Sequence, residues 1–171
     1  TLSSSSAASD VYKRQLHDLR FPKGILHEDE EFTPQLMLRA ENLYFTNNKA
    51  YYYRKREGSI MHKRDKRWHI RRLADAEQVL YRLKERVDYL PVKERIAMER
   101  RIAQLTMDHI YNVITMTHDE THLDHVLQRL SRHGLFPLPD KDYTSKYKWF
   151  RKMTNSSFGR KTLIMLLRLK G

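Results

Sequence analysis

Apolar residues between positions 73 and 90 recur at alternating steps of three and four, which places them on one face of a helix. The pattern predicts an amphipathic helix that begins near Asp65 and is interrupted at Pro91. Such a stripe is typical of a helix that buries one face. Its members are Leu73, Ala76, Leu80, Leu83, Val87 and Leu90.

Helical patterns continue behind this stripe. A second helix is expected after Pro91, a third from about Asp119 to Gly134, and two more over about 143–153 and 157–169. The run LFPLPDKD, with two prolines, reads as a linker between the third helix and the last two. We therefore expect residues 63–171 to form a mainly α-helical, basic extension. The apolar positions of the second and third helices include Ile96, Ala103, Ile110, Val113, Leu123, Val126, Leu127 and Leu130.

Residues 16–62 have a different, α/β character. Residues 16–28 lack helical periodicity and read as loop or short strand. Thr33 and Pro34 predict a helix start, with Thr as N-cap and Pro at the first helical position, although the start can also lie earlier, near Asp29. Two aromatic or apolar runs then predict strands on either side of an asparagine turn: Leu43–Thr46 and Ala50–Arg54.

The first fifteen residues read as a tail rather than as part of the fold. Residues 5–15, SSAASDVYKRQ, resemble the in-frame translation of a transposase adapter used in shotgun DNA libraries. A Ser-rich disordered tail would have the same low hydrophobicity. We exclude residues 1–15 as non-native and disordered, and we expect the native chain from Leu16 onward to be the C-terminal part of a longer protein.

The chain is strongly basic, with a formal net charge of +12. Removing Lys13, Arg14 and Asp10 with the tail lowers this to +11. The excess favours an anionic partner, which is a nucleic acid, a phosphorylated ligand or an anionic membrane surface. The absence of Cys excludes disulfides and thiolate metal sites in this chain, and fits a reducing compartment.

Four consecutive acids, Glu28, Asp29, Glu30 and Glu31, stand out in this basic chain. Acids in the first turn of a helix interact favourably with its dipole, by roughly 0.3–1 kcal/mol each. The same residues could instead hold a carboxylate beside a substrate as a general base. The cluster by itself leaves both interpretations open.

The stretch Arg20–Met61 resembles the end of the catalytic domain of family 2 glycosyltransferases. These are inverting, nucleotide-sugar-dependent enzymes of the GT-A fold, common in bacterial polysaccharide and lipopolysaccharide assembly. The resemblance covers about a quarter of the chain closely. It depends on an ordered set of motifs: Phe21–Gly24, Glu28-Asp29, Phe32-Thr33, Arg39-Ala40, Tyr51–Arg54 and Arg56–Ile60.

The resemblance implies catalytic roles for the Glu-Asp pair. Asp29 is the expected general base, which takes the proton from an acceptor hydroxyl as that oxygen attacks the anomeric carbon. The nucleotide diphosphate leaves from the opposite face, so the configuration inverts. Glu28 is expected to orient the acceptor or the base. The acceptor is expected to be a polysaccharide or a lipid-linked glycan.

Donor contacts are implied for Arg54, Arg56 and Ser59, because guanidinium groups pair well with diphosphate oxygens. Arg54 and Arg56 could also share a solvated strand face, as alternate residues do. His62 is an implied metal ligand. The family holds Mg²⁺ or Mn²⁺ mainly through an Asp-x-Asp motif in an N-terminal half that residues 16–171 do not contain. The chain alone is therefore expected to bind no metal firmly and to be inactive.

Two other motifs have competing interpretations. His118, His122 and His125 could share a helix face and bind Zn²⁺, or form a solvated face with Asp119 as N-cap. Residues 141–171 hold nine Lys or Arg and one acid, interleaved with aromatics. That composition suits an anionic membrane surface, nucleic acid or a solvated annex. The resemblance favours the cytoplasmic face of a bacterial inner membrane, and the rival hypothesis is a small basic helical nucleic-acid-binding protein.

Overall fold

The computed structural model describes residues 19–49, 52 and 66–170. Within these ranges the protein is mostly helical and forms no strand, which confirms the expected helical character. The residues divide into two compact units between Arg72 and Leu73. The helices are α1 (Glu28–Arg39), α2 (Lys66–Val87), α3 (Val92–Thr117), α4 (Glu120–Arg132), α5 (Ser145–Asn155) and α6 (Ser157–Lys170).

Helix α1 in the first unit begins at Glu28, so the start expected at Thr33 was wrong and the earlier alternative was nearly right. All four acids fall in its first turn, where the helix dipole favours negative charge. Pro34 lies inside the helix, where it removes one backbone donor. The helix still buries Phe32, whose ring stacks on that of Phe21 at 4.0 Å between centroids.

The strand predicted at Leu43–Thr46 is not formed, because residues 42–49 have no regular structure. Tyr44 and Phe45 are almost fully exposed. Aromatic residues favour a strand only when a neighbouring strand supplies hydrogen bonds and packing, and no described segment does so here. Of the second predicted strand, Ala50–Arg54, only Tyr52 is described.

The second unit is a helical assembly whose elements match the predicted ones closely. Helix α3 contacts α4, α5 and α6, and α5 and α6 pack against each other. The predicted stripe on α2 is buried at Leu73, Leu80, Leu83 and Val87. Other members of the core are Ile110, Ile114, Leu123, Leu130, Leu163 and Ile164.

Local chemistry determines where these helices end. Asp119 caps α4 by accepting hydrogen bonds from the backbone of Thr121 and His122, at 2.9 and 3.2 Å. Gly134 follows α4 with φ of 65°, the left-handed conformation that glycine adopts without strain. Among the described helices, none has the length and apolar character needed to cross a bilayer.

Candidate functional site

The four acids in the first turn of α1 differ in their surroundings. Glu31 is 3% exposed, and the carboxylate of Glu30 lies 3.5 Å from Nδ1 of His27. Glu28 and Asp29 are exposed, and neither forms an ion pair with a described residue. Oδ1 of Asp29 accepts a hydrogen bond from the backbone of Glu30 at 3.0 Å. The two acids for which the family resemblance implies catalytic roles are therefore exposed to solvent.

His27 holds this turn in place from its N-terminal side. Its backbone is left-handed, with φ of 65°. Arg72 Nε donates a hydrogen bond to His27 Nε2 at 3.3 Å, and Nδ1 on the other side of the ring faces Glu30. Side chains on both sides of the imidazole thus fix the backbone that precedes Glu28.

The aromatic-glycine segment before α1 is also fixed. Gly24 has φ of 80°, and its carbonyl accepts a hydrogen bond from Arg71 Nη2 at 2.7 Å. Phe21, at the start of the same segment, stacks on Phe32 of α1. Two motifs of the resemblance, Phe21–Gly24 and the acidic helix, are therefore in direct contact.

The other predicted site residues, Arg54, Arg56, Ser59 and His62, lie outside the described residues. In the ranges that are described, no group of three or more His, Asp or Glu side chains is arranged to hold a metal ion. Among the described residues, Glu28 and Asp29 therefore have no third carboxylate or imidazole beside them that would complete a site for Mg²⁺ or Mn²⁺.

The histidine motif does not form a shared helix face. His118 ends α3 in a left-handed conformation, with φ of 50°, and lies outside α4. Its backbone carbonyl accepts a hydrogen bond from Arg168. His122 and His125 lie within α4, behind the Asp119 cap. The zinc interpretation is therefore wrong for the described geometry, and the capping interpretation is confirmed.

A buried polar cluster in the second unit was not predicted. Glu77 is 7% exposed. Arg129 donates two hydrogen bonds to its carboxylate, at 2.9 and 2.7 Å. Tyr81 donates a third at 2.9 Å, and His109 Nε2 lies 3.4 Å away. The sequence did contain a signal, because Glu77 lies one turn after Leu73 on the apolar face of α2.

The electrostatics of this cluster indicate a structural role. Burial raises the pKa of Glu77, but the contacts with His109, Arg129 and Tyr81 outweigh it and lower the pKa to about 2. Burial and the hydrogen bond to Glu77 raise the pKa of Tyr81 to about 12. A carboxylate with so low a pKa is a weak base, and both of its oxygens are already occupied.

A cleft of roughly 220 Å³ in the second unit is lined by Lys84, Glu99 and Lys141 together with apolar residues. Lys141 Nζ lies 2.7 Å from the carboxylate of Glu99, and this hydrogen bond lowers the pKa of Glu99. The only hydroxyl in the lining belongs to Thr106, which donates to the carbonyl of Ile102 in its own helix. The cleft therefore offers no nucleophile with a neighbouring base.

Comparison with known proteins finds no relative of this chain. The chain matches no family model, no curated protein and no solved structure. Among the described residues, the exposed Glu28-Asp29 pair is the candidate site.

Proposed function

We propose that this chain is the C-terminal part of an inverting family 2 glycosyltransferase. Residues 16–62 are the α/β end of its GT-A domain, and residues 63–171 are a helical basic extension. The observation that carries the proposal is the division of the acidic cluster. Glu30 lies beside His27 and Glu31 is buried, whereas Glu28 and Asp29 are exposed and form no ion pair with a described residue.

Asp29 acts as the general base. One of its oxygens already accepts a backbone hydrogen bond, which leaves the other to receive the proton of an acceptor hydroxyl. As the proton moves to Asp29, the acceptor oxygen forms a bond to the anomeric carbon. The bond from that carbon to the nucleotide diphosphate breaks on the opposite face, so the configuration inverts. One base suffices for a single displacement.

The substrates follow from this reaction. The donor is a nucleotide sugar, and Arg54, Arg56 and Ser59 contact its diphosphate in the complete enzyme. The acceptor is a glycan or a lipid-linked glycan, which Glu28 helps to orient. The sugar transfer takes place in a bacterial cytoplasm, at the cytoplasmic face of the inner membrane. When bound, Mg²⁺ or Mn²⁺ would neutralise charge on the leaving diphosphate, and an Asp-x-Asp motif elsewhere in the enzyme would be its main ligand, with His62 as a further one.

The proposal is tested by reading the source DNA upstream of Leu16. The expected result is an open frame that continues into a βαβ region with an Asp-x-Asp motif. A start codon and ribosome-binding site in front of the Ser-rich segment would contradict it, because the enzyme would then have no donor site.

An assay of the purified chain separates this proposal from its rival. We expect no turnover of any nucleotide sugar by residues 1–171, since most of the donor site lies elsewhere. The nucleic-acid rival instead predicts tight binding to DNA or RNA that falls steeply with salt. It also predicts that Asp29→Asn leaves that binding unchanged. Measured turnover by the isolated chain, or such nucleic-acid binding, would count against the proposal.

A further inference from the structure

Helix α6 exposes an apolar stripe to solvent. Phe158, Met165 and Leu169 are 81%, 58% and 80% exposed. Their spacings of seven and four place them on one face of the helix. The opposite face buries Leu163 and Ile164 in the core of the second unit. The helix therefore has two apolar faces: one is packed in the core, and the other, the stripe, is exposed to solvent.

Positive charge borders this stripe. Lys161 and Arg168 lie four residues before and three residues after Met165, so both sit beside the stripe along the helix. Lys161 Nζ is 3.8 Å from the carboxylate of Glu120, and Arg168 donates to the carbonyl of His118. The charges are thus held at one edge, while the centre of the face consists of Phe, Met and Leu.

The neighbouring helix carries the same combination of side chains. Trp149 of α5 is 51% exposed, and Lys152 follows it by three residues on the same helical face. Tryptophan favours the interface between water and hydrocarbon, and lysine favours anionic head groups. The segment 141–171 as a whole has nine basic residues and one acid.

We propose that α6 lies in the plane of an anionic membrane surface, with Phe158, Met165 and Leu169 in the acyl boundary and Lys161 and Arg168 at the head groups. A nucleic acid would meet cations at the centre of its binding face, whereas here the centre is apolar and the cations form the border. This inference concerns the second unit alone and stands whether or not the chain derives from a glycosyltransferase.

Vesicle sedimentation with the full chain tests the inference. We expect binding to vesicles of phosphatidylcholine and phosphatidylglycerol, little binding to phosphatidylcholine alone, and weaker binding at high salt. The triple variant Phe158→Ser, Met165→Ser, Leu169→Ser should lower the partition coefficient by about tenfold or more, because it removes three apolar side chains from the acyl boundary.

The matched control is the double variant Tyr89→Ser, Ile96→Ser. These residues are 89% and 59% exposed, similar to Phe158 and Met165, but they belong to other segments, Tyr89 after α2 and Ile96 in α3. The control should bind vesicles like the unmodified chain. Thermal melts by circular dichroism establish that each variant is folded.

Four results would overturn the inference. The first is no binding to anionic vesicles, and the second is binding that the triple variant leaves unchanged. The third is a dimer of the unmodified chain in sedimentation velocity, together with a monomeric triple variant and no vesicle binding. A second copy of the chain would then cover the stripe. Loss of vesicle binding in the control as well would also contradict it, because binding would then not depend on α6.

Discussion

Burial and charge oppose each other at Glu77. Its carboxylate is buried, yet it remains ionised because Arg129 and Tyr81 donate to it. We expect Glu77→Gln to lower the free energy of unfolding by about 2–4 kcal/mol, since it leaves a partly buried guanidinium without its charged partner. Urea denaturation measures this change. Glu85→Gln, at an exposed position of the same helix, should change stability by less than about 0.5 kcal/mol. Equal stability of the two variants would contradict the structural role of the cluster.

The same cluster predicts how stability depends on pH. The pKa of Glu77 falls from its ordinary 4.5 to about 2 in the folded protein, so its contribution is present above pH 4.5 and is lost as pH falls toward about 2. The pKa of Tyr81 rises from its ordinary 10.0 to about 12, so its contribution is present below pH 10.0 and is lost as pH rises toward about 12. Urea denaturation across pH measures both limbs. Tyr81→Phe should remove the contribution of Tyr81 to the alkaline limb and also weaken the acid limb, because the Tyr81 hydrogen bond helps to lower the pKa of Glu77. Glu77→Gln should flatten the acid limb and weaken the alkaline limb, because Glu77 helps to raise the pKa of Tyr81. Unchanged limbs in both variants would refute the assignment.

At the level of residues, the four consecutive acids predicted a helix start, and the structure confirms it. The sequence identified the acidic cluster and named Asp29 and Glu28, but their exposure depends on which face of α1 packs inward, which Phe32 and its stack on Phe21 decide. The Glu77 cluster was missed because two of its partners, His109 and Arg129, lie 32 and 52 positions away in sequence. Only the packing of α2 against other helices brings them together.

At the level of elements, the contact between α5 and α6 depends on one glycine. A Cβ on Gly159 would lie 2.2 Å from the backbone oxygen of Met153. Because that obstacle is backbone, Gly159→Ala should lower stability by about 1–3 kcal/mol or more, although alanine is the better helix former. Ser157→Ala, at an exposed position of the same helix, is the control and should be nearly neutral. Thermal unfolding measures both, and a more stable Gly159→Ala variant would contradict the close packing.

Helices of the second unit could be predicted because their apolar period and their end signals agree. The stripe from Leu73 and the Asp119 cap are examples in which local pattern and tertiary packing require the same structure. Leu43–Thr46 shows the opposite case. Its aromatic composition favours a strand, but a strand forms its backbone hydrogen bonds with another strand. No such strand is present in the described ranges.

At the level of the whole molecule, the excess of positive charge pointed to an anionic partner without choosing among membranes, phosphorylated ligands and nucleic acids. Our proposal of a membrane surface as the partner depends on one place, where α6 combines charge with an exposed apolar face. The transferase proposal has a different basis. It depends on an ordered motif and on the exposure of Glu28 and Asp29, and its donor-side residues Arg54 and Arg56 lie outside the described ranges.

The central claim is that Asp29 is the base for sugar transfer, and the most direct measurement is the transfer rate of the full-length enzyme carrying Asp29→Asn. We predict that kcat falls by about 10²–10⁴-fold, as expected when a general base is lost. The dissociation constant for the nucleotide sugar should stay unchanged. Glu30→Gln, which alters the acid that pairs with His27, is the control and should retain most of the activity. An Asp29→Asn enzyme with nearly unmodified kcat would contradict the claim.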